Sequence, residues 1–169
     1  MAADDEGTAL TYSLSGTDAA LFSIDAATGA VTFKTAPDHE NPADAGGDNV
    51  YDIIVTASDG TNSTDQAVAI TVTDQNDNAP VFTSASSFTV AENQSSAFTA
   101  IATDADANST LTYSLSGTDA ADFKIDAATG VVTFVRPPDY ESPGGQSFDV
   151  VVTASDGVNS TSQPVSISV

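Results

Sequence analysis

Apolar and polar residues alternate along much of this chain, and that pattern predicts β-strands with one buried face. One run places Leu10, Tyr12 and Leu14 on a single face, and two further runs lie at 51–57 and 68–72. Gly, Asp, Asn and Pro bound these runs, and such residues begin and stiffen turns. The sequence therefore predicts short, half-buried strands joined by tight turns.

Two Thr-Gly steps predict β-hairpins. The step at 28–29 separates alternating segments at 22–24 and 31–33, and the step at 129–130 separates similar segments on its two sides. Glycine readily adopts the positive φ that tight hairpin turns require. The strands on either side of each step are therefore expected to pair antiparallel.

The chain contains an internal repeat. The segment 10–20 recurs unchanged at 111–121, a spacing of 101 residues. The segment 55–60 returns at 152–157, a spacing of 97, so the first copy carries four extra residues around 43–49. The chain is therefore two copies of one module.

The two copies differ at their beginnings. The second copy offers about seven short strands in roughly 90 residues, which is the pattern of an antiparallel Greek-key sandwich. Its equivalent of Leu10 follows a long strand-forming stretch, whereas Leu10 itself follows only nine residues. We predict an all-β fold of two tandem Greek-key β-sandwich modules: a first module at 1–73 that lacks its first two strands, a linker at 74–80 and a complete module at 81–169.

Charge and composition narrow the functional classes. The chain has 24 acidic and 3 basic residues, a net charge of −21, and this disfavours nucleic acid and anionic membrane surfaces as partners. No apolar run is long enough to span a bilayer, so direct membrane insertion is not expected. Cysteine is absent, which removes disulfides, thiolate zinc sites and cysteine nucleophiles. Oxygen ligands without sulfur favour a hard cation such as Ca²⁺.

The segment 74–80, Asp-Gln-Asn-Asp-Asn-Ala-Pro, concentrates oxygen-bearing side chains between the two copies. Taken alone it predicts a turn as readily as a metal site, because Asp, Asn and Pro also start turns. Matching acidic residues elsewhere in both copies favour the metal site.

At this point the sequence resembles the cadherin family. The family's linker pattern Asp-x-Asn-Asp-Asn-x-Pro is matched at every fixed position of 74–80. Further family motifs occur in the family's order at Ala91-Glu92-Asn93, Asp104-Ala105-Asp106, Asp38-His39-Glu40 and Asp139-Tyr140-Glu141, and as Ala-x-Asp at 57–59 and 154–156.

This resemblance implies several Ca²⁺ ions at the junction of the modules, held by the first module, the linker and the second module together. Carried over position by position, the implied ligands are Asp38, Glu40, Asp74, Gln75, Asn76, Asp77, Asn78, Asp104, Asp106 and Asp156, with Gln75 and Asn78 offering backbone carbonyls. The family also uses a glutamate near the start of the preceding domain, which the first copy lacks. Its equivalent, Glu92, is expected to be solvated or weakly occupied with Asp139 and Glu141, whereas Asp5 and Asp59 are assigned to a junction with an absent preceding module.

The resemblance favours a non-enzymatic, calcium-stiffened spacer and adhesion module of a larger extracellular or cell-surface protein. The near-identity of the copies and the scarcity of lysine resemble a secreted bacterial repeat adhesin. An acidic rather than basic-apolar start argues against a signal peptide, so we expect an excised piece of something longer. Expected partners are a cell-surface protein, homophilic or heterophilic, or a glycan.

A polysaccharide- or glycan-binding module with structural calcium needs an exposed aromatic platform, for which Tyr51 and Tyr140 are the candidates. No Ser/His/Asp arrangement or phosphate loop points to an enzyme. His39, the single histidine, is predicted to be exposed. The open sheet edge of a truncated first module predicts completion by an intermolecular contact.

Overall fold

The structure, a computed structural model, describes residues 9–142 and 147–169. Over these ranges the chain forms β-strands and two single-turn 3₁₀ helices, at Ala19–Leu21 and Ala120–Asp122. No helix in the described ranges is long and apolar enough to cross a lipid bilayer. The chain divides between Gln75 and Asn76 into two compact units. The predicted boundaries at 1–73, 74–80 and 81–169 remain a prediction, and the observed division falls inside the predicted linker.

The first unit contains two antiparallel sheets. Its strands are β1 (Thr11–Ser15), β2 (Phe22–Ile24), β3 (Val31–Phe33), β4 (Val50–Ser58) and β5 (Ser63–Thr71). One sheet has the order β1-β4-β5, and the other is the hairpin β2-β3 predicted from the Thr-Gly step. In the turn of that hairpin Gly29 has a φ of 74°, which a residue with a side chain rarely adopts.

The core of the first unit is a small aromatic cluster. Phe22, Tyr51 and Ile53 are buried. The rings of Phe22 and Phe33 lie 4.3 Å apart, and Tyr51 meets Phe33 edge-on at 5.2 Å. The Tyr51 hydroxyl accepts a hydrogen bond from the Ala43 N–H. Tyr51 is only 1% exposed, so its predicted place on a glycan platform near the loops is wrong.

The second unit has nine strands among its described residues. They are β6 (Val81–Phe82), β7 (Ser87–Thr89), β8 (Ser96–Thr99), β9 (Ala102–Thr103), β10 (Thr112–Ser116), β11 (Phe123–Ile125), β12 (Val131–Phe134), β13 (Ser147–Ser155) and β14 (Ser160–Ser168). The sheet orders are β10-β13-β14-β7, β11-β12-β8 and β6-β9. Strand β7 runs parallel to β14, and the other pairs are antiparallel. This arrangement agrees with the predicted all-β sandwich class.

The second unit has the larger core. Its core cluster has twelve buried residues, against three in the described part of the first unit. Strand β8 adds Ala97 and Phe98 to this cluster, and Phe88 of β7 stacks on Phe98 at 4.7 Å. Val132, Val152 and Ile167 of the same cluster are fully buried. More buried apolar area favours a more stable second unit.

An aspartate closes the hairpin turn in each unit. Asp25 Oδ1 accepts hydrogen bonds from the N–H groups of Ala27 and Thr28, at 2.8 and 2.9 Å. Asp126 does the same for Ala128 and Thr129, both at 2.9 Å. The N–H of Thr129, followed by that of Ala128, holds the pKa of Asp126 below its ordinary value. The negative charge is therefore favoured in the folded turn.

Asp126→Asn is expected to weaken the dependence of stability on acid pH. Because the folded pKa is depressed, the charged carboxylate stabilises the fold above the unfolded pKa of about 3.9, and this contribution is lost as pH falls through the folded pKa. The variant should be less stable near neutral pH, and its melting temperature should fall less between about pH 5 and pH 1. Asp122→Asn, at an exposed position, is the control. A variant whose melting profile parallels that of the unmodified chain contradicts this account.

Candidate metal centre

Three aspartates converge in the second unit. Asp104 and Asp106 follow β9, and Asp156 follows β13. One carboxylate oxygen from each lies within 4.8 Å of the others. Asp106 is only 5% exposed. Like charges this close repel one another unless a cation or a set of donors compensates them.

The hydrogen bonds compensate only part of this charge. Asp104 Oδ1 accepts from the Asp106 N–H at 2.9 Å, and Asp156 Oδ1 accepts from the N–H groups of Val158 and Asn159 at 2.7 and 2.6 Å. The second oxygen of each carboxylate, Asp104 Oδ2 and Asp156 Oδ2, is buried without a hydrogen-bond partner. Buried acceptors without donors are rare and carry a desolvation cost. A hard divalent cation fits these two oxygens.

Asp156 is held in its charged form. Burial raises the pKa of its carboxyl group, but the N–H groups of Asn159 and Val158 together with the Asn159 side chain outweigh burial, so the pKa lies below its ordinary value. A metal ligand must be deprotonated. The hairpin loop thus favours the charged carboxylate of Asp156.

Part of the polar segment is bound to the second unit. The N–H and Nδ2 of Asn78 donate to the two carboxylate oxygens of Asp106, at 3.0 and 2.8 Å. Asn159 Nδ2 donates to Asn76 Oδ1 at 3.1 Å and to the Asn78 carbonyl at 2.8 Å. Pro80 is buried. The structure therefore brings Asn76 and Asn78 together with the three aspartates, whereas Asp77 lies exposed beside them.

The first unit carries a second cluster of ligand atoms. His39, Glu40 and Asp74 each offer one atom, and these atoms lie within 4.8 Å of one another. His39 Nδ1 lies 3.1 Å from Glu40 Oε1 and 3.6 Å from Asp74 Oδ1. Asp74 Oδ1 is buried without a hydrogen-bond partner. The cluster can hold a cation through its two carboxylates.

Two other predicted ligands of the first unit lie nearer to solvent. Asp38 is exposed, and its Oδ1 accepts from the N–H groups of Glu40 and Asn41 at 3.1 and 3.2 Å. Asp38 therefore closes a turn, whether or not it also binds a metal ion. Gln75 is exposed at the end of the unit.

His39 differs from its prediction. Its side chain is 30% exposed and contacts Glu40, so it is half-buried rather than fully exposed. In the sequence His39 lies between two implied ligands, Asp38 and Glu40. That position could have indicated its partial burial. Asn159 was not included in the predicted site. Its position three residues after Asp156 is the sequence feature that could have indicated it.

The assignment of the remaining acidic residues to other junctions stays a prediction. Glu92, Asp139 and Glu141 form a separate cluster, in which Asp139 and Glu141 are exposed and Glu92 Oε2 accepts from the Tyr140 N–H at 3.2 Å. Asp59 lies in the first unit, where the N–H groups of Asn62 and Thr61 lower its pKa. Asp5 lies outside the described residues.

The fold and the acidic clusters define a class of β-sandwich repeat with loop carboxylates, and comparison with known proteins identifies the family. Residues 86–169 match the family model of the cadherin domain. Protocadherin Fat 2 of Rattus norvegicus is 33% identical over 161 residues, which cover 90% of this chain and 4% of that protein. Protocadherin Fat 4 of Homo sapiens is 35% identical over 153 residues, which cover 85% of this chain and 3% of that protein.

Solved structures of cadherins are also similar to this chain. The crystal structure of mouse cadherin-23 EC22-24 matches with a TM-score of 0.73 and 27% identity, over 95% of this chain and 52% of that chain. Human protocadherin-24 EC1-2 matches with a TM-score of 0.75 and 25% identity, over 99% and 84%. The chain is a cadherin-like tandem repeat. It spans only 4% of the length of Protocadherin Fat 2 and 3% of the length of Protocadherin Fat 4.

Proposed function

We propose that this chain is a calcium-dependent spacer and adhesion module of a larger extracellular protein, with Ca²⁺ bound where its two units are joined. The observation that carries the proposal is the set of buried carboxylate oxygens without partners, on Asp74 in the first unit and on Asp104 and Asp156 in the second. These residues belong to ligand clusters on either side of the Gln75–Asn76 boundary. Cadherin domains as a family bind calcium, which supports this choice of ion.

Each unit would supply part of the ligand set. The first unit offers Asp38, Glu40, Asp74 and the carbonyl of Gln75, and the second offers Asn76, Asp77, the carbonyl of Asn78, Asp104, Asp106 and Asp156. One Ca²⁺ takes six to eight oxygens in flexible geometry, and carboxylates can bridge neighbouring ions. Several ions can therefore share this set. They would also relieve the self-repulsion of a chain with a net charge of −21.

A ligand set divided between two units couples calcium to their arrangement. An ion that takes oxygens from both units binds best in those arrangements that bring the oxygens together. Calcium therefore shifts the population toward such arrangements by its differential affinity, and its removal releases them. This coupling is the physical basis of the proposed spacer role.

The relatives guide the proposal on partners and location. They are cadherins and protocadherins, which favours a non-enzymatic, cell-surface role with homophilic or heterophilic protein partners. A bacterial origin remains a hypothesis drawn from the near-identical copies. The glycan-binding alternative loses one of its two candidate platform residues, because Tyr51 is buried whereas Tyr140 is exposed.

Completion of the first unit by another chain remains part of the proposal. Strand β14 pairs with β13 on one side and with β7 on the other. Its counterpart β5 pairs with β4, and none of the described residues pairs with its second edge. An open edge can accept an extended strand.

Calcium titration by calorimetry tests the proposed site. Asp104→Asn removes one carboxylate charge from the cluster, so calcium affinity should fall by about tenfold or more because affinity follows ligand charge. Asp122→Asn is an exposed control outside the clusters. Small-angle scattering with calcium and with chelator measures inter-unit order in the same samples. Equal calcium affinities for both variants, or scattering that chelator leaves unchanged, speak against the proposal.

A further inference from the structure

One side-chain amide holds two residues of the polar segment on the second unit. Asn159 lies in the loop between β13 and β14 and is half-buried. Its Nδ2 lies 2.8 Å from the carbonyl oxygen of Asn78 and 3.1 Å from Asn76 Oδ1. A backbone carbonyl only accepts hydrogen bonds, so the nitrogen of the Asn159 amide must face it. This nitrogen therefore has two acceptors on the segment.

The same loop fixes both Asn159 and Asp156. The Asn159 N–H donates to Asp156 Oδ1 at 2.6 Å, and the Asp156 N–H donates to the Asn159 carbonyl at 3.2 Å. Ser155 Oγ donates to that carbonyl at 3.0 Å. A closed ring of bonds thus sets the direction in which the Asn159 side chain leaves the loop. The unpartnered Asp156 Oδ2 is carried by the same loop.

We infer that Asn159 is a positioning residue: it fastens Asn76 and Asn78 to the second unit and thereby sets the calcium affinity of the proposed site. The inference rests on the proposed function for its calcium part. Each oxygen that accepts from Asn159 has two lone pairs, so one remains for a cation. Asn159 itself directs hydrogens at these oxygens and is not a metal ligand through its Nδ2.

The first unit supplies an internal comparison. Asn62 occupies the equivalent loop, where its N–H donates to Asp59 Oδ1 at 2.6 Å and its carbonyl accepts from the Asp59 N–H at 3.2 Å and Ser58 Oγ at 3.0 Å. Its Nδ2 is directed at Asp59 Oδ2, at 3.4 Å. Among the described residues, the loop therefore forms the same backbone bonds around a side chain that donates within the loop itself. The side-chain bonds from Asn159 to Asn76 and Asn78 can therefore be removed without removing the backbone bonds that form the loop.

The test compares Asn159→Ala and Asn159→Leu with Asn62→Ala in the full chain. Leucine keeps the branching of asparagine at Cγ but donates no hydrogen bond. In chelator, amide hydrogen exchange at Asn78 should accelerate in both Asn159 variants and stay unchanged in Asn62→Ala. In calcium chloride titrations, the Asn159 variants should bind about tenfold more weakly, the low end for loss of a residue that orients metal ligands.

Unchanged exchange at Asn78 in both Asn159 variants overturns the inference, whatever calcium does. Accelerated exchange with calcium affinity equal to that of the unmodified chain overturns the claim that this fastening sets the affinity. If the unmodified chain binds no calcium while exchange accelerates as expected, the proposed function fails and the fastening of the segment stands.

Discussion

Gly130→Ala is expected to destabilise the second unit by about 2 to 5 kcal/mol, from left-handed backbone strain and overpacking together. Gly130 has a φ of 70°, and a methyl group at this position would overlap the carbonyl oxygen of Ala100. Ala100 is only 2% exposed, and its own N–H donates to the Gly130 carbonyl at 2.9 Å, which holds its backbone in place. The clash is therefore with backbone and cannot be relieved by a change of rotamer. Chemical denaturation monitored in each unit measures the effect.

Gly29→Ala is the matched control, because the same hexapeptide forms this turn in the first unit. Gly29 has a φ of 74°, so its backbone strain is similar. A methyl group there meets the ring of Tyr12 at 3.1 Å, and a side chain can yield. The loss of stability should therefore be smaller than at Gly130. Equal losses at the two positions would show that the turn alone determines the effect, and that packing against Ala100 does not.

The strands and hairpin turns were predictable from sequence because their causes are local. Alternation of period two fixes which face of a strand is apolar, and Leu14 and Val55 pair across β1 and β4 as that pattern requires. The Thr-Gly turns follow from the freedom of Gly29 and Gly130 to adopt positive φ. Such features depend on a few neighbouring residues, so the repeated sequence forms them in both units.

The features that were missed depend on residues distant in sequence. The parallel pairing of β7 with β14 joins Phe88 to Ile167, and nothing in either local pattern indicates it. Tyr51 reads as a residue near a loop, yet its ring is enclosed by Phe22 and Phe33. The contacts of Asn159 with the linker span more than 80 positions. Local patterns give the strands, whereas tertiary packing decides these side-chain environments.

The candidate site was also predictable only in part. Family motifs identify Asp104, Asp106 and Asp156 without any structure, because motif spacing is a property of the sequence. The sequence does not indicate which oxygen of each carboxylate is free. Hydrogen bonds use Asp104 Oδ1 and Asp156 Oδ1 and leave both Oδ2 atoms buried and without donors. These free oxygens are the observation that favours a metal site over a set of turn residues.

Asp106→Ala should produce the largest combined loss of stability and calcium binding. Asp106 is 5% exposed and accepts both the N–H and the Nδ2 hydrogen of Asn78. Its removal leaves these donors without their acceptor, at a cost of about 1 to 3 kcal/mol. It also takes one carboxylate from the three that converge, so calcium affinity should fall by about tenfold or more. Calorimetric titration and thermal denaturation in chelator measure the two losses separately.

Asp18→Ala separates the structural part of this result from the metal part. Asp18 is 4% exposed in the first unit, and its carboxylate accepts from the N–H groups of Ala45 and Asp52 at 2.8 and 2.7 Å. It is absent from the acidic clusters of the described residues. A similar loss of stability is therefore expected in the first unit, with calcium affinity unchanged. If Asp106→Ala binds calcium as tightly as Asp18→Ala, then Asp106 holds the linker through Asn78 without being a ligand, and the proposed metal centre must be built on Asp104 and Asp156 alone.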